Sequence, residues 1–344
     1  MNWKIEEISE LRGFVVEWAE PGNYLLSRRN KLYRSRDLIP PFEELTVIDA
    51  PVWRSLASSF RLGQRLLRFS VTNAIPLANG DIFIAFDRTV GIIRGHQYLS
   101  LGGLARPCRV LRSACAIGLD GNLYFGEYLA NDSRGSINLY RYVPGEKSVN
   151  SLYSFPEGSV RHVHGIYYDE FTHALFCLTG DSDAECRIIR TFDEFETVET
   201  IGQGDESWRA VSALFTHEAI YYGTDAEYRS NSIYRLDRQT LIRNSLGEVN
   251  GTVFFSQKFN GKLFFATTAE NAPSQTENRA EIWVADESDG IQKLGSFAKD
   301  RWHVVLFGFG IVNFPHVSSV SDRLFFSLSA TKSDNRTFEI ITSN

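Results

Sequence analysis

Methionine is nearly absent from this 344-residue chain, which has one, and cysteine is scarce: Cys108, Cys115, Cys177 and Cys186. No two cysteines form a C-x-x-C pair, so a zinc ribbon is not indicated, and so few thiols point to free, packed cysteines in a reducing compartment. No run reaches 18 apolar residues, so no transmembrane helix is expected. The opening Met-Asn-Trp-Lys-Ile-Glu-Glu lacks a basic stretch followed by an apolar one, so no signal peptide is expected and the cytoplasm is the expected location. Positive charge is not in excess. The net charge of −6 argues against a surface that wraps nucleic acid. There is no Walker loop and no G-x-S-x-G elbow, and Gly308-Phe309-Gly310 lacks the third glycine of a dinucleotide site. No linker rich in Pro, Gly or Ser divides the chain, so one domain over 1–344 is expected.

What is abundant is aromatic. Phe and Tyr number 25 and 14, and both favour strands. A short signature recurs: a turn pair, then an aliphatic–aromatic strand. It stands at Gly80-Asp81-Ile82-Phe83, Gly121-Asn122-Leu123-Tyr124 and Gly261-Lys262-Leu263-Phe264. Looser copies stand at His173-Ala174-Leu175-Phe176, Glu218-Ala219-Ile220-Tyr221, Asp322-Arg323-Leu324-Phe325 and Gly22-Asn23-Tyr24-Leu25. Successive copies lie 41 to 61 residues apart, with a mean of 50. A second strand-like run follows the copies, as in Ile137–Arg141, Ser232–Leu236 and Glu281–Val284. A period of about 40 to 60 residues holds roughly four strands, the content of one propeller blade. The pattern predicts an all-β protein: a single β-propeller of seven blades of four antiparallel strands. Residues Trp3–Ile8 would supply the missing strand of the last blade, and 51–70, with a candidate helix near Arg54–Arg68, would form an insertion between the first two blades. Six blades with a capping hairpin, or two packed sandwiches, are the alternatives.

In a propeller the innermost strand precedes the signature strand. Eleven residues before each signature stand Gly13, Val71, Arg112, His164, Arg209, Thr252 and Asn313. Three successive blades therefore offer Arg112, His164 and Arg209 to one axis, with His162 on the same strand face as His164. Paired arginines hold a carboxylate bidentately. The strand ends that return to this face carry Glu127, Tyr128, Asp181, Asp183 and Asp225. Acidic groups beside Arg and His have the makings of acid–base catalysis. The candidate catalytic residues are His164, Glu127, Asp181 and Tyr128. The candidate substrate-binding residues are Arg112, Arg209, His162, Trp208 and Asp225. No cofactor is required by the sequence. A divalent metal is the option it leaves open, held by His162, His164 and His316, because imidazoles suit zinc, manganese or iron. Asp181 and Asp183 are a second, weaker cation pair, since no twelve-residue calcium loop follows.

The runs Arg161-His162-Val163-His164-Gly165-Ile166-Tyr167-Tyr168-Asp169, Thr179-Gly180-Asp181-Ser182-Asp183 and Trp208-Arg209-Ala210-Val211 resemble bacterial sialidase-like (BNR-type) propeller proteins. Many of these are encoded beside surface-polysaccharide genes. The resemblance covers about 105–330. It implies an arginine triad, of which Arg112 and Arg209 would be two, and a tyrosine–glutamate pair, for which Glu127 and Tyr128 would stand. The sequence departs from that family in lacking a faithful Asp-box, a third arginine and a counterpart for His-x-His; a propeller lyase acting on uronates fits the histidines better. The functional expectation is a carbohydrate-active propeller that acts on or binds an acidic sugar of an oligosaccharide or polysaccharide, by hydrolysis or β-elimination. The alternative is a non-catalytic scaffold for a glycan or protein. Neither nucleic acid nor membrane is an expected partner.

Overall fold

The computed structural model describes residues 2–286, 290–318 and 321–343. It is a β-propeller. The signature glycines make the turns they promise: Gly22, Gly80, Gly121 and Gly261 all have φ between 71° and 85°, a region open to glycine at no steric cost. Each signature strand is the second of four antiparallel strands: Tyr24–Arg28, Ile82–Phe86, Leu123–Gly126, Ala174–Thr179, Ala219–Thr224, Lys262–Ala269 and Leu324–Ser329; in the sheet of the first, His316–Val317 adds a short fifth strand, parallel to Val15–Ala19. Blades 1 to 6 span 15–47, 71–100, 115–155, 163–203, 210–249 and 253–298. Blade 7 takes three strands from 310–343, and its fourth is Asn2–Glu7, which pairs antiparallel with Arg336–Ser343.

The core confirms the ring. Seven buried clusters occur among the described residues, and each draws on two neighbouring blades. Ile75, Phe83, Phe125 and Tyr140 join blades 2 and 3; Phe264, Ile282, Leu324 and Phe326 join blades 6 and 7. Leu26, Val16 and Phe325 join blade 1 to blade 7. Every sheet is therefore covered on both faces, which explains why the second strands are apolar throughout rather than alternating.

The innermost strands are bulged near their starts in five blades, at Val16/Trp18, Val71/Asn73, Val163/Gly165, Ala210/Ala213 and Val253/Phe255. A bulge leaves one residue unpaired and re-aims its side chain. Here the unpaired residues include Glu17, whose side chain is fully buried, and His164, which stands at the mouth where the innermost strands begin, termed the front mouth below. Between blades 1 and 2 the chain forms two short helices, Val52–Ala57 and Arg61–Leu66, instead of one helix over 54–68. Leu56 and Phe60, expected to share an apolar face, are 66% and 76% exposed. Among the described residues no helix is long and apolar enough to cross a membrane. All four cysteines are free and buried, and burial pushes the Cys108 and Cys186 thiols up to about 12.

Candidate functional site

The front mouth gathers titratable groups between blades 3 and 6. His162 and His164 precede and open the innermost strand of blade 4, Val163–Asp169. Their Nε2 atoms lie 3.1 Å apart. Asp181, just beyond the second strand of the same blade, brings Oδ2 to 3.1 Å from His162 Nε2 and 3.7 Å from His164 Nε2. Its Oδ1 faces Arg209 at 3.5 Å and Arg161 at 3.9 Å. Arg209 Nε donates to Asp225 Oδ2 at 3.0 Å, and Asp225 lies 3.9 Å from His164 Nδ1. Tyr128 packs its ring on His162 with centroids 4.2 Å apart.

The electrostatics follow from burial. Burial, then the neighbouring His164, lowers His162 to about 3, so its imidazole is neutral. Burial alone would raise Asp181, but the imidazoles and Arg209 outweigh it and hold the carboxyl at about 2. Asp225 is raised by burial, and Tyr128 is raised by burial and by Asp181 and Asp225. Glu270, beyond the second strand of blade 6, bonds to Thr252 and Thr268 at 2.5 and 2.6 Å. Burial, then Asp225, lifts it to about 7.

Four expected residues stand elsewhere. Arg112 does not join His164 and Arg209: it crosses the channel and bonds to Glu17 of blade 1, with Val16 O at 3.4 Å. Glu127 is not at the mouth. Its fully buried carboxylate accepts from Arg106, Asn138 and Tyr140 inside blade 3, so it is part of the wall. Trp208 has its faces filled by Tyr222 and by the Arg243 guanidinium 4.0 Å over the ring, leaving no face for a sugar. His316 is bonded to Asn73 at 2.8 Å and lines a cavity of about 690 Å³ at the opposite, rear mouth, with Arg112, Tyr167 and Phe314. It is therefore separate from the His162–His164 pair, and Asp181 takes its place. Asp183 lines a shallow depression beside Asp181, with Asp205, Glu206, Tyr228 and Arg229.

Sequence reasoning also missed a cationic group between blades 2 and 3. Arg109 and Tyr128 are directly opposed in an antiparallel bridge, with Arg109 N–H donating to Tyr128 O at 3.0 Å. Opposed residues of such a pair project to the same side. Arg109 lies 4.0 Å from Asp87, which is already bonded to Arg54. Arg68 and Arg88 are exposed and make no ion pair among the described residues, yet both lie near enough to lower Arg109 together with its burial. Arg68 also acts on Tyr128. Asp87 and Arg88 sit at the end of the second strand of blade 2, and Glu270 at that of blade 6. These are the positions that carry Asp181 and Asp225 in blades 4 and 5, so the same reading extended to every blade would have found them.

No family model matches the chain, and no curated protein matches it. Solved structures do. The extracellular domain of a one component system from B. thetaiotaomicron superposes with TM-score 0.62 at 11% identity, over 100% of this chain and 40% of that one. A chain of the mitotic checkpoint complex gives 0.59 at 11% identity, covering 99% of this chain and 93% of that one. The WD40 β-propeller domain of Doa1 gives 0.59 at 10% identity, over 97% and 94%. This chain thus spans less than half of the first of these. At such identities the likeness is one of fold, and the fold is the β-propeller.

Proposed function

We propose that the protein binds and acts on an acidic, carboxylate-bearing sugar at the front mouth. One observation carries the reading. Arg54 and Arg109 share a single carboxylate, Asp87, while Arg68 and Arg88 lie near enough to act on Arg109 and pair with no carboxylate among the described residues, which leaves a surplus of positive charge beside Tyr128 and the His162–His164–Asp181 group. A guanidinium without a carboxylate partner is the group best suited to fork onto a substrate carboxylate. The pair first expected to do this, Arg112 and Arg209, is already neutralised by Glu17 and by Asp225 with Asp181. Glu270, near neutral in pKa, and the phenol of Tyr128 are the groups nearby that can hold and release a proton in hydrolysis or β-elimination.

The test is calorimetric titration of the full chain with uronate and sialic-acid oligosaccharides. Losing a charge-assisted hydrogen bond costs about 1.5–3 kcal/mol, or about 10- to 100-fold in affinity. Arg109→Ala and Arg88→Ala should each weaken binding by about that factor without lowering the melting temperature. If the parent binds no acidic sugar, the reading fails. If it binds without turnover, the protein is a lectin-like module.

A second reading rests on a different observation. The insertion helices and the short helix Val304–Phe307, which packs on Arg61–Leu66, carry Val52, Trp53, Phe60 and Val305, each more than 60% exposed. Exposed apolar side chains in this number favour a docking partner, which is the scaffold alternative.

A further inference from the structure

We infer that His162, His164 and Asp181 form a site for a single divalent transition-metal ion. Three ligand atoms converge from one blade: the two Nε2 atoms 3.1 Å apart, and Asp181 Oδ2 at 3.1 and 3.7 Å from them. An ion held about 2.0–2.1 Å from tetrahedral ligands keeps those ligands about 3.3 Å apart, and this triangle has that size. Two imidazoles with one carboxylate, leaving further positions open, is a donor set for zinc, iron or manganese rather than calcium.

The hydrogen bonding is set for a cation and is poorly set without one. His162 Nδ1 lies 3.1 Å from Leu129 O and must donate to it, so the His162 Nε2 lone pair faces His164. If a neutral His164 carried its proton on Nε2, the lone pair of its Nδ1 would face the Asp225 carboxylate. If it carried the proton on Nδ1, two Nε2 lone pairs would face each other. Consistent with this conflict, His164 Nδ1 and Asp181 Oδ2 are buried and make no hydrogen bond, although His164 is only 3% exposed. A metal ion resolves it: both Nε2 lone pairs ligate, and His164 Nδ1–H points at Asp225, the outer carboxylate that often orients such a ligand. Asp181 Oδ1 stays with Arg209 and Arg161, so the carboxylate is held from behind while Oδ2 faces the site. Asp181, Asp225 and Glu206 outnumber those two arginines, and the depression lined by Asp183, Asp205 and Glu206 gives a cation a path to Asp181.

The test needs no sugar, so it stands apart from the proposed function. The full chain, stripped with a chelator and dialysed, is titrated with zinc, cobalt(II) and manganese. One equivalent of zinc or cobalt(II) should bind, cobalt should develop visible absorption, and zinc should move the Nε2 resonances of two of the seven histidines. His164→Gln and Asp181→Asn should each weaken binding at least tenfold while melting as cooperatively as the parent, and His316→Gln should bind normally. Absence of saturable binding by the parent overturns the proposal, whatever the variants do. So does binding that shifts no histidine resonance, or that survives His164→Gln unchanged.

Discussion

Arg112 crosses the channel to reach Glu17, and neither charge can be removed alone without cost. Glu17 is fully buried and its carboxyl is raised by that burial, so its ionised form depends on the guanidinium. Breaking one partner of a buried pair costs about 3–5 kcal/mol because the other charge is stranded. Arg112→Ala should lose about that much stability in urea unfolding. The double variant Arg112→Met with Glu17→Gln should recover most of it; a double variant no better than the single would show that the arginine acts by packing. His316 gives a pH prediction of its own. Burial, then the nearby Arg112, lowers it to about 3, against 6.5 for an unperturbed imidazole. Between those values the unfolded chain binds a proton that the fold refuses. The site's stability is therefore whole above 6.5 and is lost as pH falls toward 3, by about 1.4 kcal/mol per unit. His162 has the same sign. Glu270, raised to about 7, has the opposite sign between 4.5 and 7 because the fold retains its proton there. His316→Gln removes one proton from this balance. The stability gap between parent and variant should shrink by about 2 kcal/mol from pH 7 to pH 5. An unchanged gap would mean that His316 is charged in the folded protein.

Strands and their turns were the legible level. Each recurring turn-plus-aromatic signature is a second strand, and the runs after it are third strands, such as Ile137–Tyr142 and Asn231–Asp237, because local propensity and turn chemistry there agree with the fold. The innermost strands were less legible. A fixed count back from the signature lands on the start of the strand in blade 4, at His164, but on its last residue in blade 7, at Asn313. In blade 1 it lands on Gly13 and misses Glu17. Bulges and loops of unequal length shift the phase, and no residue type announces a bulge. The site suffered accordingly: His162, His164, Asp181, Arg209 and Asp225 meet, whereas Arg112 is held by Glu17 across the channel and Glu127 is neutralised inside the wall of blade 3. Blade-to-blade contact explains one further pattern. A Cβ added at Gly126 would lie 2.5 Å from Val163, and one at Gly223 would lie 2.4 Å from Val253, each on the next blade's innermost strand. Only a residue without a side chain lets the blades approach this closely. Gly126→Ala and Gly223→Ala should each destabilise by about 1–3 kcal/mol, the usual cost of overpacking. A neutral result at either position would mean that neighbouring blades can slide apart freely.

At the scale of the whole molecule, the ring is closed by pairing the two ends of the chain. Asn2–Glu7 runs antiparallel to Arg336–Ser343 in register from Asn2–Ser343 to Glu7–Phe338. This strand does more than finish blade 7. Trp3 meets Phe264 of blade 6 edge-on at 5.1 Å, and Ile5 lies where a Cβ on Gly295 of blade 6 would stand, 2.7 Å away. The first strand therefore bonds to one blade and packs on its neighbour. Removing it would bare the edge of Arg336–Ser343, and an unpaired edge invites pairing with another chain. It would also strip apolar cover from the cluster between blades 6 and 7, where Phe259, Phe264 and Phe326 gather. Because each blade touches only its neighbours, the loss should start locally, as in other repeat architectures. A chain lacking 2–7 should unfold in two steps, blades 6 and 7 first, and should associate with rising concentration, whereas the full chain should unfold once. Trp3→Ala, which keeps the backbone pairing, should lower stability by about 2 kcal/mol, less than a fully buried tryptophan would cost, and should keep a single transition. Hydrogen exchange locates the effect: in the truncated chain, amides of Leu324–Ser329 and Lys262–Ala269 should lose protection before those of Ala174–Thr179. Uniform loss of protection around all seven blades would instead show that closure acts on the ring as one cooperative unit.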